Sequence, residues 1–177
     1  MGKNDDFSRI LRGCQAGDPR SFENLIDEYA SRCYGYFYRL TGDRDASDEL
    51  LSELFVKLVL KIKQYRGGAF ETWLFKVASN VFHDWLREKH RQTKLLKAQK
   101  SRFPSEAAEN EQPDIYEIDK LQAQLDKLDI DTREVIMLRF YSQMSFKEIA
   151  ATRGEPIGTS LAKVHRGLKK LRELMEQ

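Results

Sequence analysis

The sequence predicts an all-α protein: two small helical domains joined by a flexible linker, the second carrying a helix-turn-helix. Three observations lead there. Apolar residues recur at spacings of three and four, whereas the alternation expected of strands is scarce. The 177 residues include only four prolines, so long helices can run uninterrupted. Between Arg91 and Asp119 the periodicity dissolves, and a basic run, RQTKLLKAQKSR, gives way to FPSEAAENEQPD, acidic with two prolines. That composition suits a linker. The predicted organisation is a first domain over 1–92, a linker over 93–119 and a second domain over 120–177.

The elements follow in chain order. Asp18-Pro19 reads as a helix start, since proline is tolerated at the first helical position. Phe22, Leu25, Ile26 and Tyr29 then recur at helical spacing. Thr41-Gly42-Asp43 is a break. A second long helix is expected from about Ser47 to Tyr65, with Leu50, Leu51, Leu54, Phe55, Leu58 and Ile62 on one face and Gly67-Gly68 as its stop. The third has the cleanest stripe: Phe70, Trp73, Leu74, Val77, Ala78, Val81, Trp85 and Leu86. It is expected to extend past Arg91 before fraying into the linker. In the second domain Leu121, Leu125 and Leu128 form one stripe, and Thr132 opens a helix with Val135, Ile136, Leu138 and Phe140. Ser145 followed by Glu148 is a capping-box signature before FKEIAAT. Arg153-Gly154-Glu155-Pro156 makes a turn. A last helix is expected from about Thr159 to Met175, with Leu161, Val164, Leu168, Leu171 and Met175 facing inward.

Several function classes are excluded by what is missing. No apolar run approaches the roughly 18 residues of a membrane span, and MGKNDDFSRI has no signal-peptide pattern. No membrane insertion and a cytoplasmic location are therefore expected. Cys14 and Cys33 form no CxxC pair, and the three histidines have no ligand spacing, so no metal and no cofactor is expected and both thiols should be buried. No carboxylate pair, activated nucleophile or phosphate-cradling loop appears, so the chain is not expected to be an enzyme.

Charge points elsewhere. Net charge is only +2, but Lys163, Arg166, Lys169, Lys170 and Arg172 fall in ten residues without an acid. A short helix, a glycine turn and a longer basic helix fit a helix-turn-helix, whose second helix reads bases near its N-terminus. On the last helix Ser160, Lys163, Arg166 and Lys170 are expected to face outward, and Gly158-Thr159 to offer amides to a phosphate. A solvated basic helix in a bundle is the bland alternative.

Four stretches then carry a family resemblance: 42–55 (GDRDASDELLSELF), 70–87 (FETWLFKVASNVFHDWLR), 146–150 (FKEIA) and 155–166 (EPIGTSLAKVHR). In this order around a polar tether, they resemble the extracytoplasmic-function sigma factors of bacterial RNA polymerase. The resemblance implies three partners: core RNA polymerase, promoter DNA and an anti-sigma factor. It places Glu49, Leu50, Glu53 and Phe55 against the polymerase clamp helices. It places Gly67, Gly68, Phe70 and Thr72 in the loop that captures a flipped base of the minus-ten element. Lys76, Asn80, His83 and Arg87 would lie along that strand, with Phe82 and Lys89 also available and Trp73 mostly structural. It places Thr159, Ser160, Lys163, Arg166 and Lys170 on the duplex of the minus-thirty-five element. This sequence departs from the family where it has Ser52, Ala46 and Leu128-Asp129-Ile130-Asp131, and Ser160-Leu161-Ala162-Lys163 after Gly-Thr. With Ala46 in place of the family's acid, Asp45 or Ser47 is expected to cap the second helix. Lysine lacks arginine's bidentate fork, so upstream preference is expected either to differ from the family's or to be weaker. Two other readings stand beside this one: a helix-turn-helix repressor or activator that binds DNA alone as a dimer, and a protein-binding adaptor of a sigma pathway.

Overall fold

The computed structural model describes residues 3–100 and 120–176. Every regular element among them is helical, in the order α1 (Lys3–Ala16), α2 (Pro19–Thr41), α3 (Arg44–Lys61), α4 (Phe70–Lys100), α5 (Lys120–Leu125), α6 (Ile130–Phe140), α7 (Phe146–Arg153) and α8 (Ile157–Met175). A 3-10 turn, Ile62–Gln64, closes α3. Helix α4 carries the expected extension through Lys100; the rest of the expected linker lies outside the described residues.

Helix α1 precedes the first helix read from the sequence. It buries Cys14 and half-buries Phe7, Ile10 and Leu11, at helical spacing, against α2. Asp18 caps α2, accepting from the Ser21 amide at 3.0 Å. Gly42 ends α2 at φ 68°, a left-handed conformation that glycine adopts without strain. The cap of α3 is Asp43, bonded to the Ala46 amide at 3.0 Å, rather than the expected Asp45 or Ser47. Ser47 is buried instead and donates its hydroxyl to the Asp43 carbonyl.

Leu50, Leu54, Leu58 and Ile62 of α3 meet Leu74, Phe75, Val77, Ala78, Val81 and Phe82 of α4 in one core with Tyr36, Phe37 and Leu40 of α2. Both cysteines are buried there, and burial pushes the Cys33 thiol up to about 12, so neither is a ready thiolate.

In the second module Asp129 caps α6, which therefore starts two residues before Thr132. Ser145 and Glu148 close the predicted capping box on α7, and Gly154 ends it at φ 64°. Helix α8 is rotated from the expected inner face. Ser160, Val164, Gly167 and Leu171 are buried, while Leu161, Leu168 and Met175 are exposed. Gly167 allows α6 to approach: a Cβ there would lie 2.5 Å from Thr132 Cγ2.

The two modules pack together, α2 on α6 and α4 on α7. Gly35, inside α2, faces Tyr141, and a Cβ would lie 3.0 Å from its ring. Glycine costs an exposed helix interior roughly 1 kcal/mol relative to alanine; the close approach of Tyr141 accounts for its use here.

Candidate nucleic-acid and polymerase interface

Three surfaces hold the residues singled out from the sequence. The first is the loop between the 3-10 turn and α4. Gly67 and Gly68 have φ of 96° and 95°, with open space around both, so they supply backbone freedom a side chain would remove. The loop is anchored on both sides. Gln15 of α1 donates to the carbonyls of Ile62 (3.3 Å) and Tyr65 (3.0 Å), and the Tyr65 hydroxyl donates to Gly68 O at 2.6 Å. Beneath it lies an aromatic floor. Phe70 packs against Phe7, Tyr29 and Tyr65 at 5.5 Å and Trp73 at 5.6 Å between ring centroids. Burial pushes the Tyr29 phenol up to about 12, so it stays neutral. The groove above has a volume of about 1410 Å³ and includes Gly67, Gly68, Thr72, Arg66 and Asn24.

Phe70 is a correction: it is buried and forms the floor rather than a free stacking surface. Phe82 is also buried, in the core. Lys76, Asn80 and Arg87 are exposed and fall on one side of α4 at helical spacing. Arg87 pairs with Asp84, which also accepts from Lys57 at 3.0 Å; the Lys57 ammonium holds the Asp84 carboxyl below its usual range. Lys89 sits over the Trp85 ring at 4.6 Å. Two of the expected strand contacts are occupied by the second module. Thr72 donates to Glu148 at 3.0 Å, and His83 Nε2 pairs with Glu134 at 2.9 Å, which raises the imidazole above its usual value.

The second surface is the outer side of α3. Leu50 is wholly buried, so it supports that helix from behind and cannot touch a partner. Glu49 is exposed, Phe55 is half-buried, and Glu53 is half-buried beside Lys57 at 2.8 Å. The sequence reading missed Val56, Val59 and Leu60, exposed by 59%, 47% and 70%. With Glu49 and Ser52 they form a second face, apolar at one end and acidic at the other, behind the core stripe. The signal was present: α3 is apolar on both sides, which a single amphipathic packing helix is not. The three apolar side chains are thus presented to solvent together on one face of α3.

The third is α8. Ser160 is a correction: it is buried, and its hydroxyl donates to Glu155 at 2.7 Å. Lys163 is folded back onto Glu155 at 2.7 Å, with Asp131 at 3.8 Å. The Thr159 amide is used by Pro156 O, so the amides left at the helix start are those of Ile157 and Gly158. Arg166 and Lys170 are exposed, Lys170 bonding the Lys127 carbonyl at 2.9 Å. The face turned outward is Gly158, Leu161, Ala162, His165 and Arg166, around a shallow depression of about 440 Å³. Its rotation follows from Gly167 and Ser160, small residues that a search for apolar side chains passes over.

Among the described residues no cluster of three or more His, Cys, Asp or Glu could hold a metal ion, and no helix is long and apolar enough to cross a membrane.

An all-α pair of modules, one with an open groove over an aromatic floor and one with a helix-turn-helix, has the architecture of a two-module DNA-binding protein. Residues 25–92 match the sigma-70 region 2 family and residues 118–171 the sigma-70 region 4 family. Over 168 residues the chain is 33% identical to the ECF RNA polymerase sigma factor SigE of Mycolicibacterium smegmatis, covering 92% of this chain and 64% of that protein. It is 30% identical to the RNA polymerase sigma factor CarQ of Myxococcus xanthus, covering 90% and 91%. The fold is that of the sigma factor RpoE from Bartonella quintana, solved with the anti-sigma factor NepR, at a TM-score of 0.70 and 22% identity over 89% of this chain and 98% of that one. The chain belongs to the ECF sigma factors of RNA polymerase.

Proposed function

We propose that this chain directs bacterial RNA polymerase to specific promoters and initiates transcription there, working in the cytoplasm and without enzymatic chemistry of its own. The observation that carries this reading is the pairing, in one chain, of matches to sigma-70 regions 2 and 4 with a separate exposed face on α3. In this reading residues 1–92 hold polymerase and the melted minus-ten strand, and residues 120–177 hold the upstream duplex. The acids Glu49 and Glu53 steer α3 to a basic partner, and Val56, Val59 and Leu60 with Phe55 supply the apolar area that holds it. Gly67, Gly68 and Thr72 shape the mouth of a pocket for an extruded base, which offsets the cost of unstacking. Lys76, Asn80, His83 and Arg87 follow the strand. On α8, Arg166 and Lys170 meet phosphates, and Thr159 and Lys163 lie at the rim of that contact. The partners are core RNA polymerase, promoter DNA and an anti-sigma factor.

The test is transcription by the purified chain with core polymerase on a promoter library. Start sites that depend on the chain are expected; none across the library, with DNA bound instead by the chain alone as a dimer, would establish the repressor-type reading. Glu53→Arg is expected to weaken polymerase binding at least tenfold, about 1.4 kcal/mol, in a co-purification assay. Arg166→Ala should lower promoter binding and shallow its salt dependence by about one unit of slope.

A further inference from the structure

The polar side chains that begin α8 are tied inward. Both oxygens of the Glu155 carboxylate are engaged: Ser160 Oγ donates to Oε1 at 2.7 Å and Lys163 Nζ to Oε2 at 2.7 Å. Asp131 stands 3.8 Å from the same ammonium. What the first two turns present to solvent is apolar instead. Ile157 and Leu161 are each 51% exposed. With Gly158, Ala162, His165 and Arg166, Leu161 borders the shallow depression on this face, whose lining is almost wholly apolar.

Gly158 is not explained by the fold. It lies inside α8 without a left-handed φ, and a Cβ there would have no neighbour within 4 Å. Glycine weakens a helix, and neither packing nor backbone angle asks for it here. Its bare backbone keeps the depression beside Leu161 open. Further along, α8 turns cationic, with Arg166, Lys169 and Arg172 exposed. Its buried residues, Ser160, Val164, Gly167 and Leu171, face the rest of the module. The exposed surface of α8 therefore joins an apolar tip to a cationic shaft.

In the major groove the apolar group on a base edge is the C5 methyl of thymine; purines present acceptors and donors there that a leucine cannot satisfy. Residues near the start of a recognition helix meet base edges. We propose that Leu161 is a specificity-determining residue of the upstream contact, and that it seats the C5 methyl of one thymine in the depression that Gly158 keeps open. The proposal rests on the promoter-directing function above and names what that function reads upstream. Discrimination has two parts. The thymine methyl gains a dry contact, and a purine in its place leaves polar edge atoms unpaired against leucine. The cations hold phosphates and carry no sequence information.

The experiment uses the full chain with core polymerase and a promoter selected from the library above. Each thymine of the upstream element, on either strand, is replaced in turn by uracil, which removes the methyl group and keeps the pairing. Fluorescence anisotropy of the labelled duplex reads affinity. Uracil at one position is expected to weaken wild-type binding about fourfold, the effect of burying one methyl group. Leu161→Ala is expected to bind the thymine duplex at least as weakly as the wild type binds uracil there. It should lose nothing further with uracil, because the two changes remove one contact. Gly158→Val is expected to keep its thermal stability and to lose the discrimination, whereas Lys163→Ala should weaken thymine and uracil duplexes by the same factor. Wild-type binding indifferent to uracil at every position would overturn the proposal. So would a thymine preference that survives Leu161→Ala, and one that survives Gly158→Val would remove the depression as its seat. Loss of co-purification with core polymerase in Leu161→Ala would make this face a protein contact and also overturn it. Failure of the promoter reading is distinguishable: no start sites across the library, which would take this proposal with it. A chain that initiates equally well from thymine and uracil templates keeps the promoter reading and loses only the role of Leu161.

Discussion

Beneath its groove the α1–α4 module is packed with rings: Tyr29, Tyr36, Phe37, Phe70, Phe75 and Phe82 are all buried, and the only buried polar residues described there are Ser47 and Ser79. The α5–α8 module buries no aromatic ring among its described residues. Its interior is aliphatic, and Gln122, Gln124, Arg133, Glu134, Ser142 and Ser160 are buried with it. The contrast follows from size. A short helical unit cannot remove enough apolar surface from water to stand on that alone. It adds a buried ion pair, Glu134 with Arg153, and polar contacts to its neighbour. The larger module can present a groove because its floor is rigid. The smaller can present one helix because the rest of it is tied down.

Three substitutions sharpen that contrast, in order of size. Phe75→Ala leaves a cavity in the aromatic core and is expected to cost about 3–5 kcal/mol in urea unfolding; a loss under about 1 kcal/mol would mean that the first module is not held by its rings. Gly167→Ala drives a Cβ into Thr132 and Ile136. Overpacking of this kind costs about 1–3 kcal/mol, and hydrogen exchange should show the loss in α6 and α8 while α3 and α4 stay protected. Ser145→Ala removes one half of the capping box on α7. About 1 kcal/mol is expected, read as faster exchange of the Phe146–Glu148 amides; unchanged protection would show that the cap is redundant with packing of Ile149.

What was legible in the sequence divides along physical lines. The stripe of α4 and the capping box of α7 are local patterns: the box formed as read, and the stripe formed with Phe75 and Phe82 added to its buried side. The twist of α8 was not legible. Its inner face uses Ser160 and Gly167, whose value lies in letting α6 come close. Leu50 and Phe70 were placed at surfaces because they fall within matching motifs, but a motif does not say which way a side chain points. The packing of α2 and α4 on α6 and α7 was invisible for a different reason. Glu134 and its partners Ser79 and His83 lie more than fifty residues apart in sequence, and no periodicity links them. Helix α1 was missed, although Phe7, Ile10, Leu11 and Cys14 recur at helical spacing ahead of the Asp18-Pro19 start.

The placement of Trp73 and Trp85 gives the molecule its own optical signal. They are the chain's only two indoles, and both stand on α4. One borders the groove floor beside Tyr65 and Phe70, and the other is stacked on Phe82 under the Lys89 ammonium. Tryptophan emission therefore comes wholly from the first module. Changes in the packing of that module are therefore readable without any added dye, while events confined to α5–α8 leave the emission as it was.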